Sequence, residues 1–347
     1  MSEIDRFRAD DRRGVDTLYR RTQGADAADA SRLRWDWQHR RNPYNRTGAP
    51  GIWVAREGPT VVAEYPTLPV RLSLRGMEVE AAWGSSVLVA PEREREGLDE
   101  ALVRAWDRHS GAALVLGTSG EGRALLDQLH FPPSHAVACL VKPLTRRAVR
   151  IPSLPMPVNR LISAVTHPFV QIVARSRPLR AECEPIRRFD ASFTTLWERL
   201  APKFDLAVRR DAPYLNWRYI EPPHVRYAVV ALKRQGELHG YAVYRHRNEP
   251  LGRVTMLVDL LVDPDDVSGL KTLLRWVDRE ARAEDTDKVR CYLMNGAFRR
   301  VLRRNGYFNV KSTLEIAVKV NALQVPKGFY DDTEAWHVTC GDSDQDH

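Results

Sequence analysis

Chemistry is most concentrated where an apolar run turns into a helix. Val89-Ala-Pro-Glu-Arg-Glu-Arg-Glu-Gly97 joins a strand-like stretch to a helical one over 97–110. A strand-to-helix junction aims successive backbone N–H groups and the positive end of the helix dipole at one spot, which suits a phosphate. Gly97 permits close approach of a ligand. Glu94 and Asp99 oppose an anion there and fit equally well an acid-capped helix start that binds nothing. A second junction, Val262-Asp-Pro-Asp-Asp-Val-Ser-Gly-Leu270, has no Arg and one glycine, Gly269.

Two aromatic words come next. Trp35-Asp-Trp-Gln-His-Arg-Arg-Asn-Pro43 and Arg209-Arg-Asp-Ala-Pro-Tyr-Leu-Asn-Trp-Arg-Tyr219 each end a helix before a run of strands. Trp35, Trp37, Tyr214, Trp217 and Tyr219 are expected to line an acceptor cleft between two lobes, where Asn216 or Arg218 holds a carboxylate or a sugar hydroxyl. The same aromatics serve as packing between helix and sheet, the commoner use of large rings.

Other chemistries are excluded by spacing. Gly117-Thr-Ser-Gly-Glu-Gly122 lacks the Gly-Lys-Ser/Thr ending of a nucleotide-triphosphate loop. No Gly-x-Ser-x-Gly word or Cys/His pair suggests a hydrolase. The 10 histidines and 4 cysteines show no metal-ligand spacing, so no metal is expected. The acids of 342–346 lack the Gly and closing Glu of a calcium loop.

The elements that must position these residues follow from periodicity. Helices are expected over 3–21 and 26–40, strands over 51–57, 61–67, 70–74 and 78–90, a helix over 97–110, a strand over 112–117, a helix over 121–129 and a strand over 136–141. After a proline-rich stretch the order repeats. Helices are expected over 193–200 and 212–219, and strands over 226–232, 240–245 and 253–262. A helix over 267–282, a strand over 288–293, a helix over 297–304 and a strand over 312–320 complete the second half. The repeat is an internal duplication. The fold class is α/β (α+β), two tandem domains, each a mixed, mainly antiparallel sheet flanked by helices. The boundaries read 1–145, a connector over 146–180, 181–325, and a tail over 326–347.

Bulk properties agree. The chain has 347 residues and a net charge of +8, with 53 Lys+Arg against 45 Asp+Glu. A mildly basic surface favours an anionic ligand, but the basic residues form no block with interleaved aromatics, so a nucleic acid is not an expected partner. The charged N-terminus excludes a signal peptide. The longest apolar run, over 161–174, is broken by Pro168 and is too short to span a membrane; it reads as an amphipathic connecting helix or two half-turns. Scattered cysteines suit a reducing cytoplasm.

Several words carry a family resemblance. Trp83-Gly-Ser-Ser-Val-Leu-Val-Ala-Pro-Glu-Arg-Glu-Arg-Glu-Gly-Leu-Asp-Glu-Ala-Leu102 resembles strand 4, the pyrophosphate loop and helix 3 of the GNAT (GCN5-related N-acetyltransferase) superfamily. Val89, Pro91 and Gly97 match; Glu94 and Asp99 replace the usual Arg or Gln and Gly or Ala. Leu125-Leu-Asp-Gln-Leu-His-Phe131 and Val301-Leu-Arg-Arg-Asn-Gly-Tyr307 resemble the family's later helix, with Leu126 and Leu302 where its proton-donating Tyr stands. The two aromatic words, Glu221-Pro-Pro-His-Val-Arg-Tyr227 and Trp336-His-Val-Thr-Cys-Gly-Asp-Ser-Asp344 together resemble a bacterial tandem subgroup associated with polysaccharide or exosortase gene clusters.

The resemblance implies an acyl-CoA-dependent N- or O-acyltransferase acting on a small-molecule or sugar amine, with acetyl-CoA or another acyl-CoA as donor. Donor contacts then fall on Val87, Val89, Arg93, Arg95, Gly97 and Leu98. Backbone near 86–89 polarises the thioester, and Glu80 or Asp259 takes the proton, though either serves equally as an ordinary strand residue. Two alternatives stay open: a non-catalytic GNAT-like binding or scaffold protein in an envelope-polymer pathway, and a transferase that uses aminoacyl-tRNA.

Overall fold

The structure is a computed structural model and describes residues 2–117, 120–149, 183–250 and 252–343. The expected connector lies outside these residues beyond 149, as does the run over 161–174.

The described chain forms two compact units that are not consecutive halves. One contains Met1–His135, Ala207–Val225 and Glu315–Asp332; the other contains Ala136–Leu206, Arg226–Leu314 and Thr333–His347. The consecutive boundaries expected at 1–145 and 181–325 therefore cut across both.

In the first unit the sheet runs, by neighbour, Glu3–Arg6, Ile52–Glu57, Thr60–Leu74, Met77–Gly84, Ala112–Leu116, Glu315–Val320 and His135–Ala136. Met77–Gly84 and Ala112–Leu116 pair in parallel. Glu315–Val320 then lies antiparallel to Ala112–Leu116, from Ile316 opposite Leu116 to Val320 opposite Ala112. In the second unit the order is Cys183–Ile186, Ala228–Arg234, Glu237–Glu249, Gly252–Val262, Lys288–Leu293, Ala138–Pro143 and Phe308–Val310. Each half thus sends a closing strand into the other half's sheet. An unpaired strand edge accepts any strand of suitable pattern, and periodicity alone does not say which one arrives.

Matching lysines fix both exchanged strands. In the second unit Lys142 Nζ donates to Asp278 Oδ2 at 2.5 Å and lies 5.7 Å from the centre of the Tyr307 ring. In the first unit Lys319 Nζ donates to Asp107 Oδ2 at 2.7 Å and lies 5.2 Å from the Phe131 ring. The duplication seen in element order is therefore repeated in side-chain chemistry.

Local corrections have physical causes. Residues 3–6 form an edge strand against Ile52–Glu57, and the helix begins only at Arg12. The expected strands 61–67 and 70–74 are one strand, Thr60–Leu74. Pro66 and Pro69 sit where this strand passes from one partner to the other: pairing with Ile52–Glu57 ends at Pro66, and pairing with Met77–Gly84 starts at Thr67. A residue paired on one side only can do without its N–H. Helices cover both faces of this sheet. Leu102 and Trp106 of Leu98–His109 pack with Trp53, Ala63 and Tyr65. Val15 and Leu18 of Arg12–Gln23 pack with Ile52, Val54 and Val61 on the other face.

Candidate functional site

The first junction opens a fork in the sheet. Parallel pairing between Met77–Gly84 and Ala112–Leu116 runs from Ala81 opposite Ala112 to Gly84 opposite Val115 and stops there. Beyond Gly84 the first of these strands is interrupted over 85–87 and resumes as Leu88–Val89, which pairs with Glu64 and Ala63 of Thr60–Leu74. Four steps from Gly84 to Leu88 oppose three from Thr67 to Glu64, so the interruption is a bulge. Among the described residues the N–H groups of Ser86 and Val87 have no partner.

Helix Leu98–His109 starts nine residues after Val89, the last paired residue of the resumed strand. Gly97, at φ 69, is its N-cap, and no side chain caps it. The N–H groups of Leu98, Asp99 and Glu100 are also without a partner among the described residues. Such unsatisfied donors form an anion site when an anion arrives. The expected donor residues Val87, Val89, Arg93, Arg95, Gly97 and Leu98 do gather along this junction. The Leu98 side chain, however, is buried in the core, and Arg93 is already bound to Glu57 at 2.5 Å and Glu96 at 2.8 Å. Arg95 is exposed.

The second junction is closed by its own carboxylate. Asp266 is the N-cap of Val267–Ala283, and its Oδ1 accepts from the Gly269 N–H at 2.8 Å. Asp266 also pairs with Arg234 at 2.7 Å. A capping carboxylate occupies the position that a phosphate would take. Of the two junctions, the one in the first unit is therefore without a capping side chain and the one in the second is capped.

Neither expected base stands at the fork. Glu80 is exposed and bound to Arg46 at 2.7 Å. It lines a cavity of about 250 Å³ with Arg46, Arg71, Trp53 and Gly111, at the end of the paired strands away from the fork. Asp259 is buried, accepting from the Tyr241 hydroxyl at 2.9 Å and the Thr339 hydroxyl at 3.2 Å. That arrangement ties strands together. Leu126 and Leu302 are both buried apolar residues and donate no proton.

The acceptor residues expected in an open cleft pack instead within the first unit. Trp37, Tyr214, Asn216, Trp217 and Arg218 are all buried. Both aromatic words end in a π-helical turn, Asp36–Arg40 and Asn216–Ile220. Tyr44 stacks on Tyr214 with ring centres 5.7 Å apart and donates to Asp211 at 2.8 Å. The Asn216 amide donates to the Ala212 carbonyl at 2.9 Å. Trp35 is half-buried, with the Arg12 guanidinium 3.5 Å from its ring centre. Large rings lose more water by packing than a cleft would let them, so the packing role wins.

One residue with chemical potential escaped sequence reasoning. Glu64 is 1% exposed, and neither carboxylate oxygen has a hydrogen-bond partner among the described residues. The signal was a charged residue inside Val61-Val-Ala-Glu-Tyr65, an otherwise apolar strand. Among the described residues no three His, Cys, Asp or Glu side chains are placed to hold a metal. No helix there is long and apolar enough to cross a membrane.

Residues 3–113 match the family model described as the acetyltransferase (GNAT) domain. No curated protein matches the sequence. The fold is similar to that of a GCN5-related N-acetyltransferase from Anabaena variabilis, with a TM-score of 0.63, 10% identity, and coverage of 92% of this chain and 73% of the other. It is also similar to Saccharomyces cerevisiae N-myristoyltransferase with bound myristoyl-CoA, with a TM-score of 0.57, 14% identity, and coverage of 92% and 79%. A GCN5-related N-acetyltransferase from Kribbella flavida aligns with a TM-score of 0.61, 14% identity, and coverage of 93% and 71%. At these identities the likeness concerns the fold.

Proposed function

We propose that the chain is an acyl-CoA-dependent N- or O-acyltransferase whose donor site is the fork of the first unit. The observation that carries this reading is the pair of unpartnered donors at the bulge, the N–H groups of Ser86 and Val87, next to an uncapped helix start at Gly97. A thioester carbonyl hydrogen-bonded to such backbone donors is polarised for attack, because the donors stabilise the oxyanion that develops. A diphosphate at the N–H groups of 98–100 holds the donor in register. The acceptor is a small-molecule or sugar amine or alcohol, and buried free cysteines suit a reducing cytoplasm.

The nucleophile attacks the carbonyl carbon, the C–S bond breaks, and CoA leaves as its thiolate. With leucine at 126 and 302, water reprotonates the thiolate. An alkyl thiol has a pKa of about 8.5, so this loss is modest near neutrality.

Calorimetry with acetyl-CoA and CoA tests the donor site. Binding of both, with thermal stabilisation that grows with ligand concentration, is expected. Absence of binding by any acyl-CoA would leave the second reading, a GNAT-like binding or scaffold protein. The buried leucines at 126 and 302 favour that reading. A shift with aminoacyl-tRNA that fades steeply with salt would point to the third.

A further inference from the structure

The cavity that Glu80 lines is built entirely from the first unit. It lies at the Ala81–Ala112 end of the parallel strand pair, and the fork lies at the Gly84–Val115 end. Its walls are apolar: Ile52, Trp53, Val70 and Trp106 line it, and all four are buried. Three arginines, Arg6, Arg46 and Arg71, share the lining with one carboxylate, Glu80.

Two donors of this lining have no acceptor. The Trp106 indole N–H is buried without a hydrogen-bond partner among the described residues. An indole N–H can only donate, and a buried donor left unpaired is rare without a use. The Arg6 guanidinium makes no ion pair among the described residues and lies 5.2 Å from the centre of the Trp53 ring, a cation over an aromatic face. Arg46 and Arg71 share one acceptor atom. Glu80 Oε1 takes Arg46 Nη1 at 2.7 Å and lies 3.8 Å from Arg71 Nη2. Arg46 and Glu80 are exposed, and an exposed pair of this kind is weak enough for another carboxylate to displace.

We infer that this cavity binds a small carboxylic acid with an apolar body. The ligand carboxylate takes the place of Glu80 among the guanidinium groups, whose paired N–H donors match its two oxygens. The body rests against Trp53 and Trp106, and a ligand oxygen gives the Trp106 N–H its missing acceptor. The volume of about 250 Å³ lies just under the usual range of ligand sites, which starts at about 300 Å³, so the body is one ring or a short chain. Inorganic phosphate satisfies the arginines but leaves the apolar walls uncovered. The site needs no acyl-CoA and does not rest on the donor site proposed above.

The test is calorimetry on the full-length protein with phenylacetate and hexanoate as probes. Phenylacetamide lacks the charge and inorganic phosphate lacks the apolar body, so these are the controls. Both acids should bind, and both controls should bind at least about tenfold more weakly. Arg6→Gln should weaken phenylacetate binding about tenfold. Glu80→Gln frees Arg46 and Arg71 and should tighten it about two- to fivefold. Arg6 and Glu80 are exposed, so both variants should keep the fold, and unchanged melting temperatures check this. Saturating acetyl-CoA should leave phenylacetate affinity within about twofold. Absence of binding of either acid to wild type and to Glu80→Gln overturns the proposal. So does binding that Arg6→Gln leaves unchanged, or a control that binds as tightly as the acids. Displacement of phenylacetate by acetyl-CoA puts the acid at the fork and overturns it as well.

Discussion

Trp37 and Trp217 each donate an indole hydrogen bond to the other's main-chain carbonyl. Trp37 Nε1 reaches the Trp217 oxygen at 2.6 Å, and Trp217 Nε1 reaches the Trp37 oxygen at 2.7 Å. Their rings stack with centres 5.1 Å apart and planes 17° from parallel. Arg41 and Glu221, likewise 180 positions apart, pair at 2.6 Å. Both contacts join positions 180 residues apart, and all four residues belong to the first unit.

Replacing either indole by phenylalanine keeps the apolar bulk and orphans a buried carbonyl. Trp37→Phe and Trp217→Phe should each cost about 1–3 kcal/mol of stability in urea denaturation. The double variant should depart from additivity by about 0.5–3 kcal/mol. Acetyl-CoA affinity should not change. A shift in affinity without a loss of stability would return these rings to a binding role.

The exchanged strands make a graded prediction. Lys142 and Asp278 are nearly solvent-free, so Lys142→Ala leaves a buried carboxylate alone and should cost about 3–5 kcal/mol. Lys142→Met should cost less when paired with Asp278→Leu, because an apolar pair needs no solvation. Lys319→Ala should cost less than Lys142→Ala, since Lys319 keeps more solvent contact. Chemical denaturation of the purified variants measures this order.

The acids at the first junction should weaken donor binding. Glu94→Gln and Asp99→Asn remove negative charge beside a helix N-terminus, and each should tighten CoA binding by roughly two- to fivefold at low salt. Asp266→Ala, at the closed second junction, should cost about 1 kcal/mol of stability and leave CoA affinity alone. Calorimetry at two salt concentrations checks both, because screening should shrink the first effect.

Two buried groups give the unliganded protein opposite pH slopes. Glu64 titrates near 8 when folded against an ordinary value of 4.5. The folded state therefore holds more protons between these values, and the contribution present below 4.5 is lost as pH rises through 8. His39 is driven the other way. Burial, with Arg12 adding, lowers it from 6.5 to about 3. Its contribution is present above 6.5 and lost as pH falls through 3. Glu64→Gln should flatten the alkaline fall in melting temperature, and His39→Gln the acidic one. Curves unchanged by these variants would show that neither group carries the dependence.

Gly84 and Tyr65 should be coupled at the base of the fork. A side chain at Gly84 would overlap the Tyr65 hydroxyl and crowd Trp106. Gly84→Ala should destabilise by about 1–3 kcal/mol, and adding Tyr65→Phe should restore part of the loss, as the double-mutant cycle in denaturation will report.

Much of the architecture was legible because it rests on local physics. Strand Lys288–Leu293 matches its expected range, and helix Val267–Ala283 its expected range to within a residue, since apolar period defines both and Asp263-Pro264 marks the approach to the helix. The two strand–helix junctions were legible for the same reason, and so was the doubling of the fold. Partner choice is different. That Glu315–Val320 closes the sheet of the first unit and Ala138–Pro143 that of the second depends on which edge a strand meets, and both edges accept the same apolar pattern. The aromatic words looked like a binding cleft because residue type alone does not distinguish a ring facing a ligand from one facing another ring. Glu64 was one charge in an apolar strand until the paired strands placed it beside the bulge. Sequence determined most of the elements, their duplication and the place of the two strand–helix junctions. Only tertiary structure decided which strand completes which sheet, which junction is open and which carboxylate lies next to it, because each depends on contacts between residues far apart in the chain.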